Sequence, residues 1–302
     1  MASPKARILL IGSGGVGTMA SYALELSGQA EVTSVLRSNY DAVQKYGFSI
    51  DSVQHGNGIK GFRPSHIVNK VPDVSTDDIA PFDYLIVSTK NIPDVRPNVL
   101  DIISPAVTLE TTTIVLLQNG LNIERSIIER FPDNVVLSGV SIISATEQPH
   151  GVIKHEFTDS CKIGPFPSLK VSPEHSSASA RWLVAMYNTC GVVDWQYGSD
   201  VAFTRWRKLV YNSSFNSVSA ILQMDVARMR MSRFVIDELV RPAMLEIVAT
   251  AKAAGILLPE GIDSTMILLD PPDEHFMPSM GQDAVKVSLL TVVEVKCDWD
   301  NC

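Results

Sequence analysis

Cysteine is scarce in this 302-residue sequence, and the four cysteines present, Cys161, Cys190, Cys297 and Cys302, show no CxxC spacing. This pattern predicts neither a zinc site nor the disulfide framework of a small secreted domain. The six histidines are also far apart along the chain. We therefore expect no metal site and a reducing, cytoplasmic compartment.

Long hydrophobic runs are missing as well. The apolar run before the first glycines, within MASPKARILLIGSGG, is too short for the hydrophobic region of a signal peptide. The longer runs elsewhere, at 84–87 and 114–117, have the length of strands and not of membrane spans. The sequence therefore predicts no interaction with a membrane.

A basic stripe is the third absence. The net charge is −8, and the densest basic group, Arg205, Arg207 and Lys208, is too short to follow a polyanion. Nucleic acid is therefore not an expected partner. The basic group belongs either to a binding site or to a solvated helix face.

What the sequence does contain is an alternation of short apolar runs and helical patterns. Strands are predicted at 7–11, 31–36, 84–88, 113–117 and 135–140. Helices are predicted between them, at 18–26, 39–46, 95–103 and 122–130. This order is typical of a parallel sheet with helices on both faces, here with an antiparallel extension at 150–164.

The second half of the chain has few strand signals. Helical patterns cover 201–222, 233–254 and 283–295. We predict an α/β protein with two domains. The N-terminal domain, 1–198, is Rossmann-like with a parallel sheet, and the second, all-helical C-terminal domain, 199–302, binds the substrate.

A glycine-rich turn with the spacing GxGxxG directly follows the first strand: Gly12, Ser13, Gly14, Gly15, Val16 and Gly17. In a dinucleotide-binding turn the first glycine permits the bend, the second lets the pyrophosphate approach, and the third allows close packing of helix and strand. The N–H groups of the following helix then bind the phosphates. A purely structural turn is the alternative, but the order strand, turn, helix, strand favours a dinucleotide.

The choice of nucleotide depends on the end of the second strand. An acidic residue there would bind the ribose 2′-hydroxyl of NAD, but EVTSVL is followed by Arg37 and Ser38. An arginine can pair with a 2′-phosphate. NADPH is the predicted cofactor, and a solvated surface arginine is the alternative.

A polar stripe marks the first helix of the second half. Lys208, Asn212 and Asn216 have i, i+4, i+8 spacing and share one face of a helix. An amine and two carboxamides could hold and protonate a carbonyl oxygen that receives a hydride. A stripe that only faces solvent would have the same spacing.

Five blocks in this order resemble the ketopantoate reductase (2-dehydropantoate 2-reductase) family from residue 7 to about residue 286. They are IGSGGVG, STKN at 88–91, LLQNGLN at 116–122, WRKLVYNSSFNSVSA at 206–220 and PSMGQD at 278–283. The resemblance implies NADPH-dependent reduction of 2-dehydropantoate, or a related 2-oxo acid, to the 2-hydroxy acid.

The resemblance also implies roles for single residues. Lys208 would protonate the keto oxygen, Asn212 and Asn216 would bind the substrate, and Asn119 would lie near both nicotinamide and substrate. Further positions match as well. Arg37 corresponds to the arginine that selects NADPH and Lys90 to a lysine near the nicotinamide ribose, while Ser279 would receive the substrate carboxylate and Asp283 occupies a motif position beside it.

The C-terminal stretch departs from the family. Thr291 stands where the family has a glutamate that binds the substrate hydroxyl, and Glu294 could replace that glutamate only after a shift of helix register. The family continues with a further helical segment, whereas this sequence stops at Cys302. We expect a shortened or altered substrate domain.

Two other functions remain open at this point. One is an NADPH-binding protein without catalysis, which the altered C-terminus favours. The other is a dehydrogenase of the same architecture for an imine or a polyol phosphate, for which basic residues are present at Arg205, Arg207, Arg228, Arg230 and Arg233. The sequence leaves a homodimer open.

Overall fold

The computed structural model describes residues 4–271 and 275–285. These residues form two compact units. The sheet unit comprises the described residues up to Gln118 together with Asn122–Val201, and the helical unit combines Asn119–Leu121 with the described residues from Ala202 onward. Within the described part of the chain, every helix is too short or too polar to cross a membrane.

One mixed sheet contains all the strands described in the sheet unit. They are β1 (Ala6–Ile11), β2 (Ala30–Val35), β3 (Phe48–Ser52), β4 (Gly56–Phe62), β5 (His66–Val68), β6 (Tyr84–Val87), β7 (Thr113–Leu116), β8 (Val136–Glu147), β9 (Val152–Pro165) and β10 (Asp194–Tyr197). The order is β4-β3-β9-β8-β7-β6-β1-β2-β5, with β10 paired to β9.

The centre of this sheet is parallel, as the sequence pattern predicts. Strands β5, β2, β1, β6, β7 and β8 lie side by side in this order, and each pairs in parallel with its neighbour. The central strands β1, β6 and β7 are nearly continuous apolar runs, as is typical of strands whose two faces are both covered. The predicted fold class is confirmed.

The helices of the sheet unit lie on both faces. They are α1 (Gly15–Leu26), α2 (Tyr40–Tyr46), α3 (Val99–Ile103), α4 (Arg125–Arg130) and α5 (Pro173–Tyr187). Ile8 and Leu10 of β1 pack in one core with α1 and α5, whereas Leu9 and Ile11 pack in a second core with α3 and α4. Alternate residues of one strand therefore supply two hydrophobic cores.

The antiparallel extension is longer than its sequence pattern predicts. Strand β8 continues past Val140 to Glu147, and β9 is one uninterrupted strand where short strands were expected. The two strands pair antiparallel along most of their length. The hydrogen bonds between β8 and β9 maintain both strands through a stretch in which apolar and polar residues do not alternate regularly.

The hairpin of β3 and β4 has no counterpart in the sequence-based prediction. Phe48 and Ile50 enter a separate small core with Met19 of α1 and Ile153 of β9. Strand β3 is held by parallel pairing with β9, which is distant in sequence. A local pattern does not contain that partner, and for this reason the hairpin was missed.

The helical unit is built from α6 (Val201–Tyr211), α7 (Ser217–Leu222), α8 (Val226–Met231), α9 (Arg233–Val235), α10 (Arg241–Ala253), α11 (Ile262–Ile267) and α12 (Ser279–Val285). Two π-helical segments interrupt the predicted long helices: Asn212–Asn216 joins α6 to α7, and Ile236–Val240 joins α9 to α10. The predicted helix at 283–295 coincides with α12 only as far as Val285. The rest of it, with Thr291 and Glu294, lies outside the described residues.

Candidate active site

The glycine turn of the sheet unit has a backbone that other residues could not adopt without strain. Gly12 has a φ of +105°, and a Cβ there would lie 2.6 Å from the amide nitrogen of Thr89. A Cβ on Gly17 would collide with the carbonyl oxygen of Gly12 and lie 2.6 Å from Ser88 Oγ. Ser88 Oγ donates a 2.7 Å hydrogen bond to that same Gly12 carbonyl. The strand, the turn and α1 are therefore packed backbone against backbone.

Gly14 differs from its neighbours because it faces open space. It is exposed, and a Cβ built on it meets nothing within 4 Å. Thr18 N is the first amide of α1 to bond back, at 2.9 Å to Gly14 O, so the amides just before it need other partners. An open approach over free N–H groups at the start of a twelve-residue helix suits a pyrophosphate.

The other residues of the turn contribute mainly to packing and to hydrogen bonds within the sheet unit. Ser13 is buried and its Oγ donates to Val35 O at 3.1 Å. Gly15 lies under β8, where a Cβ would collide with the Ala145 carbonyl and lie 2.7 Å from Thr146 N. Val16 is half-buried. Ser13 and Gly15 therefore offer a ligand no free side-chain group.

Arg37 and Lys90 follow the carboxyl ends of β2 and β6. Both residues are exposed. Among residues 4–271 and 275–285, Arg37 forms no ion pair, so its guanidinium is available to an anionic ligand. The chain around it is fixed, because Arg37 N donates to Asn39 Oδ1 at 3.3 Å.

In the helical unit, α6 holds the segment Asn119–Leu121. Lys208 Nζ donates to Asn119 Oδ1 at 2.8 Å, and buried Arg205 donates to Gly120 O at 2.8 Å. Leu121 packs against Trp206 and Leu209. Lys208 and Asn119, two predicted site residues that are 89 positions apart in sequence, are therefore in direct contact.

The π segment changes how the polar stripe of α6 is aligned. In a regular α-helix, the side chains of residues eight apart point in directions that differ by about 80° around the helix axis. A π turn takes one residue more, so eight residues that span it correspond to about seven α-helical residues, or roughly 20°. Lys208 and Asn216 are thus more nearly in line than the predicted α-helix would make them, with Asn212 between them.

Asn216 carries an unpaired buried atom. Its Nδ2 donates to Ser279 Oγ at 3.3 Å, and its Oδ1 is buried without a hydrogen-bond partner among the described residues. Asn212 is half-buried, and Ser279 and Asp283 lie on α12. The structure therefore brings Asn216 and Ser279 together, as it does Lys208 and Asn119.

Two contributors were not predicted as site residues. Arg205 appears in the sequence only as part of a basic group, and its burial against Gly120 O becomes visible in the structure. Asn39 is buried behind the glycine turn and donates to Ser13 O at 2.8 Å. Its position two residues after Arg37 was the one available signal. Within the described ranges, no group of three His, Cys, Asp or Glu side chains could hold a metal ion.

Family models match most of the chain. Residues 8–168 match the model described as ketopantoate reductase PanE/ApbA, and residues 200–292 match the model for the C-terminal part of the same family. An uncharacterized protein of Saccharomyces cerevisiae is 35% identical, with 94% of this chain and 84% of the yeast protein covered.

Solved structures show the same architecture. The crystal structure of 2-dehydropantoate 2-reductase from Methylococcus capsulatus has a TM-score of 0.78 at 28% identity, covering 94% of this chain and 86% of that one. D-mandelate dehydrogenase, solved with NADH and anilino(oxo)acetate, has a TM-score of 0.77 at 20% identity, covering 94% and 87%. At that identity the second likeness shows the fold alone.

Proposed function

This chain belongs to the ketopantoate reductase family, and on that premise we propose that it reduces 2-dehydropantoate, or a related branched 2-oxo acid, with NADPH. The product is the 2-hydroxy acid. Bound NADPH would supply a hydride to C2 of the substrate. The remaining tasks, which are binding, orientation and protonation, belong to residues of the chain.

The sheet unit holds the cofactor in this proposal. The amide of the open Gly14 and the amides that follow it bind the pyrophosphate, and the exposed Arg37 guanidinium pairs with the 2′-phosphate. Lys90 binds near the nicotinamide ribose. Arg37 carries the choice of NADPH over NADH, because an arginine without an ion pair gains more from a phosphate than from a hydroxyl.

The helical unit binds the 2-oxo acid. Lys208, held by Asn119, gives its proton to the keto oxygen as negative charge develops there. Asn212 and Asn216 hydrogen-bond the substrate, and Ser279 binds its carboxylate beside Asp283.

The observation that carries this proposal is the buried, unpaired Oδ1 of Asn216 on the helix that also presents Lys208. Leaving an amide oxygen unpaired in the interior costs roughly 1–3 kcal/mol, and a hydroxyl-bearing ligand removes that cost. A hydroxyl is present both in 2-dehydropantoate and in the reduced acid. The residue therefore suits a substrate with hydrogen-bonding groups along its length.

The arrangement of arginines argues against a phosphate substrate. Arg205 and Arg230 donate to main-chain oxygens, at Gly120 and Asp270. Arg228 and Arg233 pair with Asp225 and Asp237. Four of the five arginines that could have formed a phosphate site thus already have partners, which favours a carboxylate substrate.

The test is NADPH oxidation followed with 2-dehydropantoate, other branched 2-oxo acids and 2-oxo-2-phenylacetate, the acid that corresponds to mandelate. We expect turnover with the branched acids, and a loss of roughly 10²–10⁴ in kcat for Lys208→Ala. Lys252→Ala, an exposed lysine on α10, is the control and should keep the parent rate. Cofactor binding without turnover of any 2-oxo acid would instead support a non-catalytic NADPH-binding protein.

A further inference from the structure

Asn39 occupies a helix N-cap but does not cap the helix. It precedes α2. Asparagine is favoured at that position because its side-chain oxygen accepts a hydrogen bond from a backbone N–H of the first turn. Here the side chain forms no capping bond. The residue is 5% exposed, so its polar atoms need partners elsewhere.

Those partners surround the glycine turn. Asn39 Nδ2 donates to Ser13 O at 2.8 Å and to Glu147 Oε1 at 2.9 Å, and Asn39 Oδ1 accepts from Arg37 N at 3.3 Å. One side chain therefore connects the glycine turn, the end of β2 and the end of β8. Both amide hydrogens and the amide oxygen are used.

Glu147 determines which way the Asn39 amide faces. An ionised carboxylate only accepts hydrogen bonds, so it requires the nitrogen of Asn39 on its side. Glu147 Oε1 also accepts from Gly151 N at 2.8 Å, which holds the carboxylate in place. With its nitrogen between Glu147 and Ser13 O, Asn39 can only donate to the turn.

The bond to Ser13 O sets the direction of a peptide group. The Ser13–Gly14 peptide is trans, so its carbonyl and its N–H point in opposite directions. Asn39 Nδ2 and Thr18 Oγ1, the latter at 3.3 Å, both bind the Ser13 carbonyl. The Gly14 N–H therefore points away from Asn39 and Thr18, and Gly14 itself is exposed with open space beside it.

We infer that Asn39 is a positioning residue for the dinucleotide. It aims the Gly14 N–H at the pyrophosphate and fixes the main chain of Arg37, whose guanidinium selects the 2′-phosphate. This inference rests on the proposed cofactor binding. It adds a residue that touches no ligand and acts through Ser13 and Arg37.

The experiment measures NADPH and NADH dissociation constants by calorimetry, together with melting temperature, for the parent, Asn39→Ala and Asn39→Asp. Asn39→Asp keeps the acceptor for Arg37 N but loses both donated bonds. The matched control is Asn134→Ala. Asn134 is also buried in the sheet unit, and its Nδ2 donates to Thr108 O and Thr112 O, each at 2.9 Å, away from the turn.

We expect both Asn39 variants to bind NADPH and NADH at least roughly tenfold more weakly, because the pyrophosphate contact is common to the two cofactors. Asn134→Ala should lose melting temperature to a similar extent and keep parental affinities. Equal affinities for the parent and Asn39→Ala would overturn the inference, as would an equal loss in Asn134→Ala. Retained affinity in Asn39→Asp would overturn the role of the donated bonds.

Failure of the proposed function gives a different result. If the parent binds NADPH but reduces no 2-oxo acid, the reductase proposal fails and the role of Asn39 in binding is still measured. If the parent binds neither cofactor, both the inference and the proposed function are overturned. Binding constants thus separate the two.

Discussion

Arg37 and Asn216 show at the scale of single residues how unused bonding capacity points to a ligand. Arg37 is an exposed guanidinium without an ion pair among the described residues, and Asn216 has a buried oxygen without a donor. The buried Asn216 oxygen has a cost in the free protein that a bound hydroxyl would remove, and the hydrated Arg37 guanidinium is available to a bound anion. In the function that we propose, Arg37 selects the cofactor and Asn216 binds the substrate.

Arg37→Ala should lower the preference for NADPH over NADH. A charge-assisted pair with a phosphate contributes roughly 1.5–3 kcal/mol, which corresponds to about 10- to 100-fold in affinity. NADPH binding should fall by that factor while NADH binding stays nearly constant, as measured by calorimetry. Arg130→Ala, an exposed arginine on α4, should change neither affinity. A parallel loss for both cofactors would contradict a role in selecting the 2′-phosphate.

At the scale of elements, adjacent glycines in one turn have opposite tasks. Because Gly15 has no side chain, the start of α1 packs directly against the main chain of β8. Gly14 instead leaves open space at the start of the same helix. The packing of α1 against the sheet therefore depends on one glycine and the approach of a ligand on the other. The sequence motif does not distinguish these two tasks, because both positions are glycine and only their surroundings in the fold differ.

Gly14→Ala and Gly15→Ala should fail in different assays. Gly15→Ala places a methyl group against the rigid Ala145 carbonyl, and overpacking of this kind costs about 1–3 kcal/mol of unfolding free energy. Gly14→Ala meets no protein atom and should melt close to the parent, but its methyl group occupies the approach of the pyrophosphate. We expect thermal melting to detect the first variant and NADPH calorimetry the second. Normal cofactor affinity in Gly14→Ala would show that the open space is not the phosphate site.

At the scale of the whole molecule, the sheet unit contains a pair of histidines outside the candidate site, His155 buried and His55 half-buried. Ser52 Oγ accepts from Gln54 N and His55 N, so its single hydrogen is left for His155 Nδ1, 2.7 Å away. The Nε2 atoms of His55 and His155 are buried without partners among the described residues. Burial lowers the pKa of both imidazoles from 6.5, and for His55 the neighbouring His155 lowers it further.

This pair should make the protein less stable in mild acid. Because the folded-state pKa values lie below 6.5, the unfolded chain takes up protons first as the pH falls through 6.5, and stability is lost from there downward. Burial raises the pKa of the nearby Asp159 carboxyl, which acts in the opposite direction, so the comparison must be made between variants.

Urea unfolding at pH 7.5 and 5.5 measures the effect. The parent should lose more free energy of unfolding between these pH values than His55→Phe, which keeps a ring against Tyr22 but cannot take up a proton. His66→Gln, at an exposed position on β5, should behave like the parent. An equal pH dependence in the parent and in His55→Phe would exclude the histidine pair as its source.

The sequence by itself determined the parallel centre of the sheet, the glycine turn after β1 and the helical character of the second half. These features depend on local patterns: apolar runs of strand length, a spacing of glycines, and a helical period of apolar residues. The family blocks added the candidate residues, because their order along the chain is specific even where each block is not.

Only the tertiary structure decided which residues meet. The pairing of β3 with β9, the bond between Lys208 and Asn119 and the bond between Asn39 and Glu147 join segments far apart in sequence. The π turn that aligns Lys208 with Asn216 is likewise absent from a pattern that assumes regular α-helix. The physical reason is the same in each case: strand pairing and buried hydrogen bonds are satisfied by whatever the fold brings near, and local sequence does not encode those partners.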